Sequence, residues 1–197
     1  MIKWIKGAAI HDSDMLLEGY RIENNSIVSV LHADNIIKVI TSYVQFYSKY
    51  PFFFFLEVPC RAHEEEKLHS DDGKLHKNVY YLDNIGADEV LKYLKIFEDI
   101  LVNDGLTSFG IGNHESEIGK YKYNMVSVIA DHADKLKTIF NKNNIPQRND
   151  LLTPWDIINK NNPGKSRAYK DDNGKTVYDI VDALKEVGLY KAETRED

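Results

Sequence analysis

The stretch PFFFFLEVP, residues 51–59, limits what this chain can fold into more than any other. Four consecutive phenylalanines without polar alternation are typical of a central strand that is covered on both faces. The flanking Pro51 and Pro59 limit the length of that strand. Because an exposed version would be prone to aggregation, we predict a core strand. An aromatic platform for a ligand is the alternative interpretation.

The rest of the chain alternates helical and strand patterns. Apolar residues recur at three-and-four spacing over 34–49 and 87–102, which predicts two amphipathic helices. Residues 106–112 and 120–130 indicate a hairpin with the polar NHESEIG at its tip. The predicted fold class is α+β, a mostly antiparallel sheet with helices packed on it as a two-layer sandwich.

One domain is expected over residues 1–197, with residues 151–197 as a helical C-terminal extension packed on it. Thr153 and Pro154 suit the start of one helix in this extension, and Thr176 suits the start of another. The charged end of the chain, KAETRED, is expected to fray.

Composition excludes several classes of function. The formal net charge is −6 and the basic residues are scattered, which argues against nucleic-acid binding. The longest apolar runs are shorter than the ~20 residues of a membrane helix, so no membrane contact is predicted. With a single cysteine, Cys60, and no visible signal peptide, we expect a cytoplasmic protein.

The letters GNHE, residues 112–115, match a metal-binding box of calcineurin-like metallophosphoesterases. That family also needs DxH, GDxxD and GHxH boxes, and this chain has none of them. A hairpin tip uses Gly, Asn and charged residues for its turn geometry and solvation, so we interpret GNHE as a turn. The preceding glycines, Gly110 and Gly112, are typical of a bulge or of close backbone packing in a strand.

The segment from Cys60 to His76 is rich in charged residues and histidines and is expected to be a loop, or an irregular link between strands. His63, His69 and His76 are weak candidate metal ligands, because their spacings of six and seven do not match one helical face. No cofactor is predicted. Acidic residues that could contact a basic partner lie here and at the hairpin tip: Glu64, Glu65, Glu66, Asp71, Asp72, Glu115 and Glu117. The last two are expected to be exposed, with no burial to raise a pKa.

The order of segments resembles that of antitoxin and immunity proteins of bacterial toxin systems. The residues that carry this resemblance are Tyr80–Asp83, Val90–Leu106 and Phe109–Ile129. It implies an acidic, cytoplasmic inhibitor that covers the basic active site of a toxin, and the negative net charge agrees with such a role.

Two alternatives stay open. One is a metal-dependent or small-molecule-binding enzyme with a dispersed active site, which would show a pocket of converging polar residues with shifted pKa values. The other is a homo-oligomeric structural protein with an interface that includes Tyr121 and Tyr123. An inhibitor would instead show an acidic face with a few exposed aromatic residues.

Overall fold

A computed structural model describes residues 2–68 and 74–197. The helices are α1 Ala33–Phe46, α2 Ala62–Leu68, α3 Ala87–Asn103, α4 Ala133–Lys142, α5 Pro154–Ile157 and α6 Val177–Lys185. The strands are β1 Ala8–Ala9, β2 Gly19–Glu23, β3 Ser26–Val30, β4 Phe52–Pro59, β5 His76–Ile85, β6 Ser108–Gly112, β7 Ser116–Lys120, β8 Met125–Ala130, β9 Lys165–Ser166 and β10 Tyr190–Glu196.

Eight of these strands form one antiparallel sheet in the order β10-β5-β4-β6-β7-β8-β3-β2. The phenylalanine strand β4 lies inside the sheet between β5 and β6, where Phe54 pairs with Leu82 and with Ile111. The short strands β1 and β9 pair separately. The predicted α+β class, with helices packed on a large antiparallel sheet, is confirmed.

The main core lies between one face of the sheet and the helices α1, α3, α4 and α6. Side chains of alternate strand residues, such as Phe54, Leu56 and Phe109, are fully or almost fully buried there against Ile36 and Leu94 of the helices. A second, smaller cluster joins the N-terminal segment to α5 and covers one end of the other face. In the described part of the chain, no helix is both long and apolar enough to cross a membrane.

The structure corrects the prediction of a loop between Cys60 and His76. Residues 62–68 form helix α2, and β5 begins at His76. The Glu64 carboxylate accepts a hydrogen bond from the Arg61 backbone N–H at 2.8 Å, which is the contact of a helix cap. The interpretation of this charged run as solvated chain missed that Glu64 caps the start of the helix by accepting from the Arg61 backbone N–H.

Two further predictions were wrong. The expected hairpin is a three-stranded meander, because Tyr123 and Asn124 adopt left-handed φ angles of 56° and 61° and turn the chain between β7 and β8. The C-terminal tail does not fray but forms β10, which pairs with β5 as an edge strand. Residues 151–197 therefore contain strands as well as helices, and β10 belongs to the main sheet.

A buried lysine joins the end of α3 to the sheet. The Lys120 ammonium is fully buried and donates hydrogen bonds to the carbonyl oxygens of Asp104, at 2.6 Å, and Thr107, at 3.2 Å. The Asp104 carboxylate accepts from the backbone N–H groups of Leu106, Thr107 and Tyr169. Burial lowers the pKa of Lys120 to about 8, and the negative charge of Asp104 opposes that shift.

We predict that Lys120 makes stability depend on pH. Because the folded-state pKa is about 8 and the ordinary value is 10.5, the unfolded chain binds more protons between these values. Unfolding free energy of the wild type, relative to Lys120→Met, should therefore rise by about 3 kcal/mol across that window. Urea denaturation of both proteins at several pH values measures the difference. A flat difference would mean that Lys120 titrates as if it were solvated.

Candidate functional site

The second face of the sheet carries an aromatic surface that the helices do not cover. Strand alternation turns Phe53, Phe55 and Glu57 away from the main core, and Tyr81 of β5 pairs with Phe55 on the same side. Neither apolar cluster includes these aromatic residues. We call this surface the aromatic face and define it by Phe53, Phe55, Tyr81, Tyr121, Glu57 and Glu117. On this face the predicted covering of β4 holds at Phe55, which is buried, whereas Phe53 is only partly buried.

Three glycines let the aromatic rings lie flat on the sheet. A Cβ atom at Gly112 would come within 2.2 Å of the Phe53 ring, and one at Gly110 within 2.3 Å of the Phe55 ring. The Tyr121 ring lies in the same way over Gly119, with its hydroxyl 2.9 Å from the position of a Cβ. The rings thus take the space of absent side chains, and the prediction of close backbone packing at Gly110 and Gly112 is confirmed.

Glu117 lies in a row of paired residues across this face. Phe53 pairs with Gly112, Gly112 with Glu117, and Glu117 with Ile129. The Glu117 side chain is half-buried, which corrects the expectation that it is exposed. Within residues 2–68 and 74–197 its carboxylate has no ion-pair or hydrogen-bond partner. Burial, and then the negative charge of Glu57, raise the pKa of Glu117 above its ordinary value.

The same environment raises the pKa values of two nearby tyrosines, Tyr121 and Tyr81. Burial raises the pKa of Tyr121 to about 12, and the charges of Glu117 and Glu57 contribute. Burial and then Glu117 likewise raise the pKa of Tyr81. The centre of the aromatic face is therefore partly dehydrated and electrically negative.

Glu57 differs from Glu117 because a cation already neutralises it. The Arg195 guanidinium on β10 donates a hydrogen bond to Glu57 and lies 3.8 Å from Glu193. At the margin of the face, the Tyr190 hydroxyl donates to Asp83 at 2.7 Å. The uncompensated negative charge on this face is consequently that of Glu117. An aromatic surface with one unpaired, half-buried carboxylate is suited to bind a cationic group.

The acidic residues predicted to contact a partner do not form one surface. Glu64, Glu65 and Glu66 lie on α2, which follows the Pro59 end of β4. Glu115 is exposed in the turn after β6, near the opposite end of that strand, because β6 pairs with β4 through Gly112 and Phe53. Asp71, Asp72 and His69 lie outside the described residues.

Two of the three acids on α2 make contacts within the protein. Glu64 accepts hydrogen bonds from the Asn78 side chain at 3.0 and 3.1 Å. Glu65 accepts from the backbone N–H of His76 and lies 2.8 Å from its ring nitrogen Nδ1. The hydrogen bond from the His76 ring lowers the pKa of Glu65. These two acids hold α2 against β5, and Glu66 is exposed.

The candidate metal ligands do not converge in the part of the chain that the structure describes. His63 is exposed on α2, whereas the His76 ring contacts Glu65. No group of three or more metal-ligating side chains occurs among the described residues. In GNHE, the Asn113 side-chain oxygen accepts from the backbone N–H groups of Glu115 and Ser116, and His114 packs edge-on against Tyr50. The interpretation of GNHE as a turn is confirmed.

Two clefts outside the aromatic face lie near the N-terminal segment. One cleft of about 510 Å³ and another of about 590 Å³ share Lys6 as a lining residue. The Lys6 ammonium donates hydrogen bonds to the Tyr169 hydroxyl at 2.6 Å and to the Asp99 carboxylate at 3.3 Å, so its positive charge is already paired within the fold. Neither cleft is lined by Glu57 or Glu117.

Reasoning from the sequence missed most of the aromatic face. It offered an aromatic platform at residues 51–59 as an alternative and named Glu117 and Tyr121 as candidate contacts, but it did not identify Tyr81 or Glu57. A signal was present: the glycine pair Gly110-x-Gly112 marks a strand whose neighbour supplies rings at alternate positions. Tyr123, the other candidate interface residue, is buried against Trp155 in the second cluster.

Comparison with known proteins finds no matching family model, no matching curated protein and no matching solved structure. The residues of the aromatic face therefore carry the functional inference.

We predict that two alanine substitutions separate the contributions of backbone and ring contacts. At Gly110 the added Cβ would meet the Ile118 carbonyl oxygen at 2.4 Å as well as the Phe55 ring. At Gly112 the three nearest atoms all belong to the Phe53 ring, which can rotate away. Gly110→Ala should thus cost about 1–3 kcal/mol of unfolding free energy, and Gly112→Ala less. Urea denaturation measures both, and the reverse order would contradict the ring arrangement.

Glu117→Gln should stabilise the protein at neutral pH. The raised pKa means that the folded state favours the protonated carboxyl, so stability is lost as pH rises through the pKa of Glu117. The neutral amide removes this cost, and the gain should disappear in acid, where the wild-type carboxyl is protonated. Glu115→Gln, at an exposed position, is the matched control and should have little effect. Thermal unfolding from pH 4 to 7 gives the comparison.

Proposed function

We propose that this protein works by binding a basic protein through the aromatic face, as an acidic inhibitor of the immunity or antitoxin type. The observation that carries the proposal is the Glu117 carboxylate, half-buried and unpaired among the described residues, beside aromatic rings. A carboxylate held in this way loses hydration without gaining a counter-ion. A cationic partner group would supply that counter-ion and make the burial favourable.

The composition of the aromatic face also supports a protein partner. Its centre is aromatic, which is typical of the core of a protein–protein interface. Ile129 beside Glu117 is 56% exposed, and Tyr190 at the margin is 49% exposed. Large apolar side chains at such positions gain most when a partner excludes water from them.

Charge and compartment fit the same role. The formal net charge of −6 would steer a basic partner toward the protein and speed association at low ionic strength. The single cysteine, Cys60, is buried and free, which is usual in the reducing cytoplasm, where we place the interaction. The order of segments resembles that of immunity proteins, and this resemblance is the reason for proposing a toxin as the partner.

Two substitutions to arginine test the proposal. Ile129→Arg adds a positive charge beside Glu117, at the border of the aromatic face, and offers Glu117 an internal counter-ion, so it should reduce partner affinity at least about tenfold. Ile96→Arg on α3 is the matched control, since Ile96 is 58% exposed but belongs to the helical layer. The partner should bind the Ile96→Arg variant with the same affinity as it binds the wild type.

Wild-type protein serves first as bait in a lysate of the native host at low salt, and the captured protein is then purified. Its dissociation constants for the wild type and both variants are measured by calorimetry at two salt concentrations. Binding that weakens with salt and with Ile129→Arg only supports the proposal. Binding that is lost with Ile96→Arg, or the absence of any salt-sensitive partner, contradicts it.

A further inference from the structure

The neighbours of Glu117 on the sheet border a compartment at the aromatic face. On one side, across the strands, the Phe53 ring lies over Gly112, the residue paired with Glu117. On the other side is Ile129. Along β7, the Tyr121 ring folds back over Gly119, two residues from Glu117 on the same face. The carboxylate is thus bordered by two rings and one aliphatic side chain.

We infer that this compartment is a binding subsite for one cationic side chain, an ammonium or guanidinium group, which pairs with Glu117 and contacts the rings of Phe53 and Tyr121. A cation beside an aromatic ring is attracted by the negative face of the ring, and a carboxylate beside the same ring adds a charge-assisted hydrogen bond. The inference rests on the proposed function and names the chemical group that the aromatic face would select.

The charges around the subsite favour a cation from outside. Glu57, although paired with Arg195, lies close enough to contribute to the raised pKa values of Glu117 and Tyr121. Arg195 is also within electrostatic range of Tyr121, but its guanidinium pairs with Glu57 and Glu193. Glu117 therefore keeps a charge that no described residue neutralises by direct contact.

The shape of the subsite depends on glycine at two positions, Gly112 and Gly119. Any side chain at Gly112 would push the Phe53 ring off the sheet, and a side chain at Gly119 would displace Tyr121. The Phe53 ring covers the backbone of the neighbouring strand β6 and the Tyr121 ring covers that of β7, and Glu117 between them is only half-buried. Glu115 is an exposed acid in the turn after β6, beside His114 instead of Phe53 and Tyr121, which makes it the control position.

Small cations test the subsite without the partner. Protein with ¹³C-labelled glutamate is titrated at pH 7 with n-butylammonium chloride, ethylguanidinium chloride and, at equal ionic strength, sodium chloride. We expect the carboxyl resonance of Glu117 to shift saturably with at least one organic cation and not with sodium. In Glu117→Gln the response of the Phe53 and Tyr121 ring resonances should weaken about tenfold, whereas Glu115→Gln should respond as the wild type does.

Each outcome has a definite meaning. A saturable response to the ammonium probe assigns the subsite to lysine, and one to the guanidinium probe assigns it to arginine. Equal shifts with sodium, or ring responses that persist in Glu117→Gln, overturn the inference. Because these probes need no partner, failure here is distinct from failure of the proposed function: Ile129→Arg can still abolish binding of a partner that contacts only the apolar part of the face.

Discussion

The structure depends on a strand that is apolar on both sides, in a sheet whose helices α1, α3, α4 and α6 all pack on one side. Phe52, Phe54 and Leu56 of β4 are buried under the helices. Phe53 and Phe55 point the other way and must lose contact with water by other means. They do so by lying on the glycine backbone of β6, so that the ring of Phe55 is only 4% exposed although no described helix covers it. Ring-on-glycine packing thus replaces a second helical layer.

This packing also explains the electrostatics of the face. Rings that lie flat leave a half-buried space beside them, and Glu117 occupies it without a counter-ion among the described residues. A carboxylate there costs folding free energy, because burial disfavours its charged form. The buried charge of Lys120 is different: two carbonyl oxygens accept its hydrogen bonds and the nearby Asp104 is negative. Lys120 is satisfied within the fold, whereas Glu117 is not, and unsatisfied groups of this kind are typical of functional sites.

The acids on α2 illustrate how charge in a sequence can mislead. Glu64, Glu65 and Glu66 form a compact acidic run that suggests a contact surface for a basic partner. In the structure, Glu64 caps its own helix and binds Asn78, and Glu65 binds His76. The carboxylates of Glu64 and Glu65 attach this short helix to strand β5. The aromatic face, which has fewer acids, carries the charge that is left unpaired.

The sequence by itself determined the α+β class, the antiparallel sheet, the long helices and the turn formed by GNHE. Each of these follows from local periodicity or turn chemistry, which a single segment expresses without its neighbours. It also indicated that Gly110 and Gly112 mark close packing of the backbone.

Tertiary structure alone decided which side of β4 the main helices leave uncovered and that β10 forms one edge of the sheet. It also decided that Glu57 pairs with Arg195, whereas Glu117 has no cationic partner among the described residues. Strand register and helix placement bring together residues as distant in sequence as Phe53, Gly112 and Glu117. Burial and ion pairing depend on these long-range neighbours, and no local pattern encodes them.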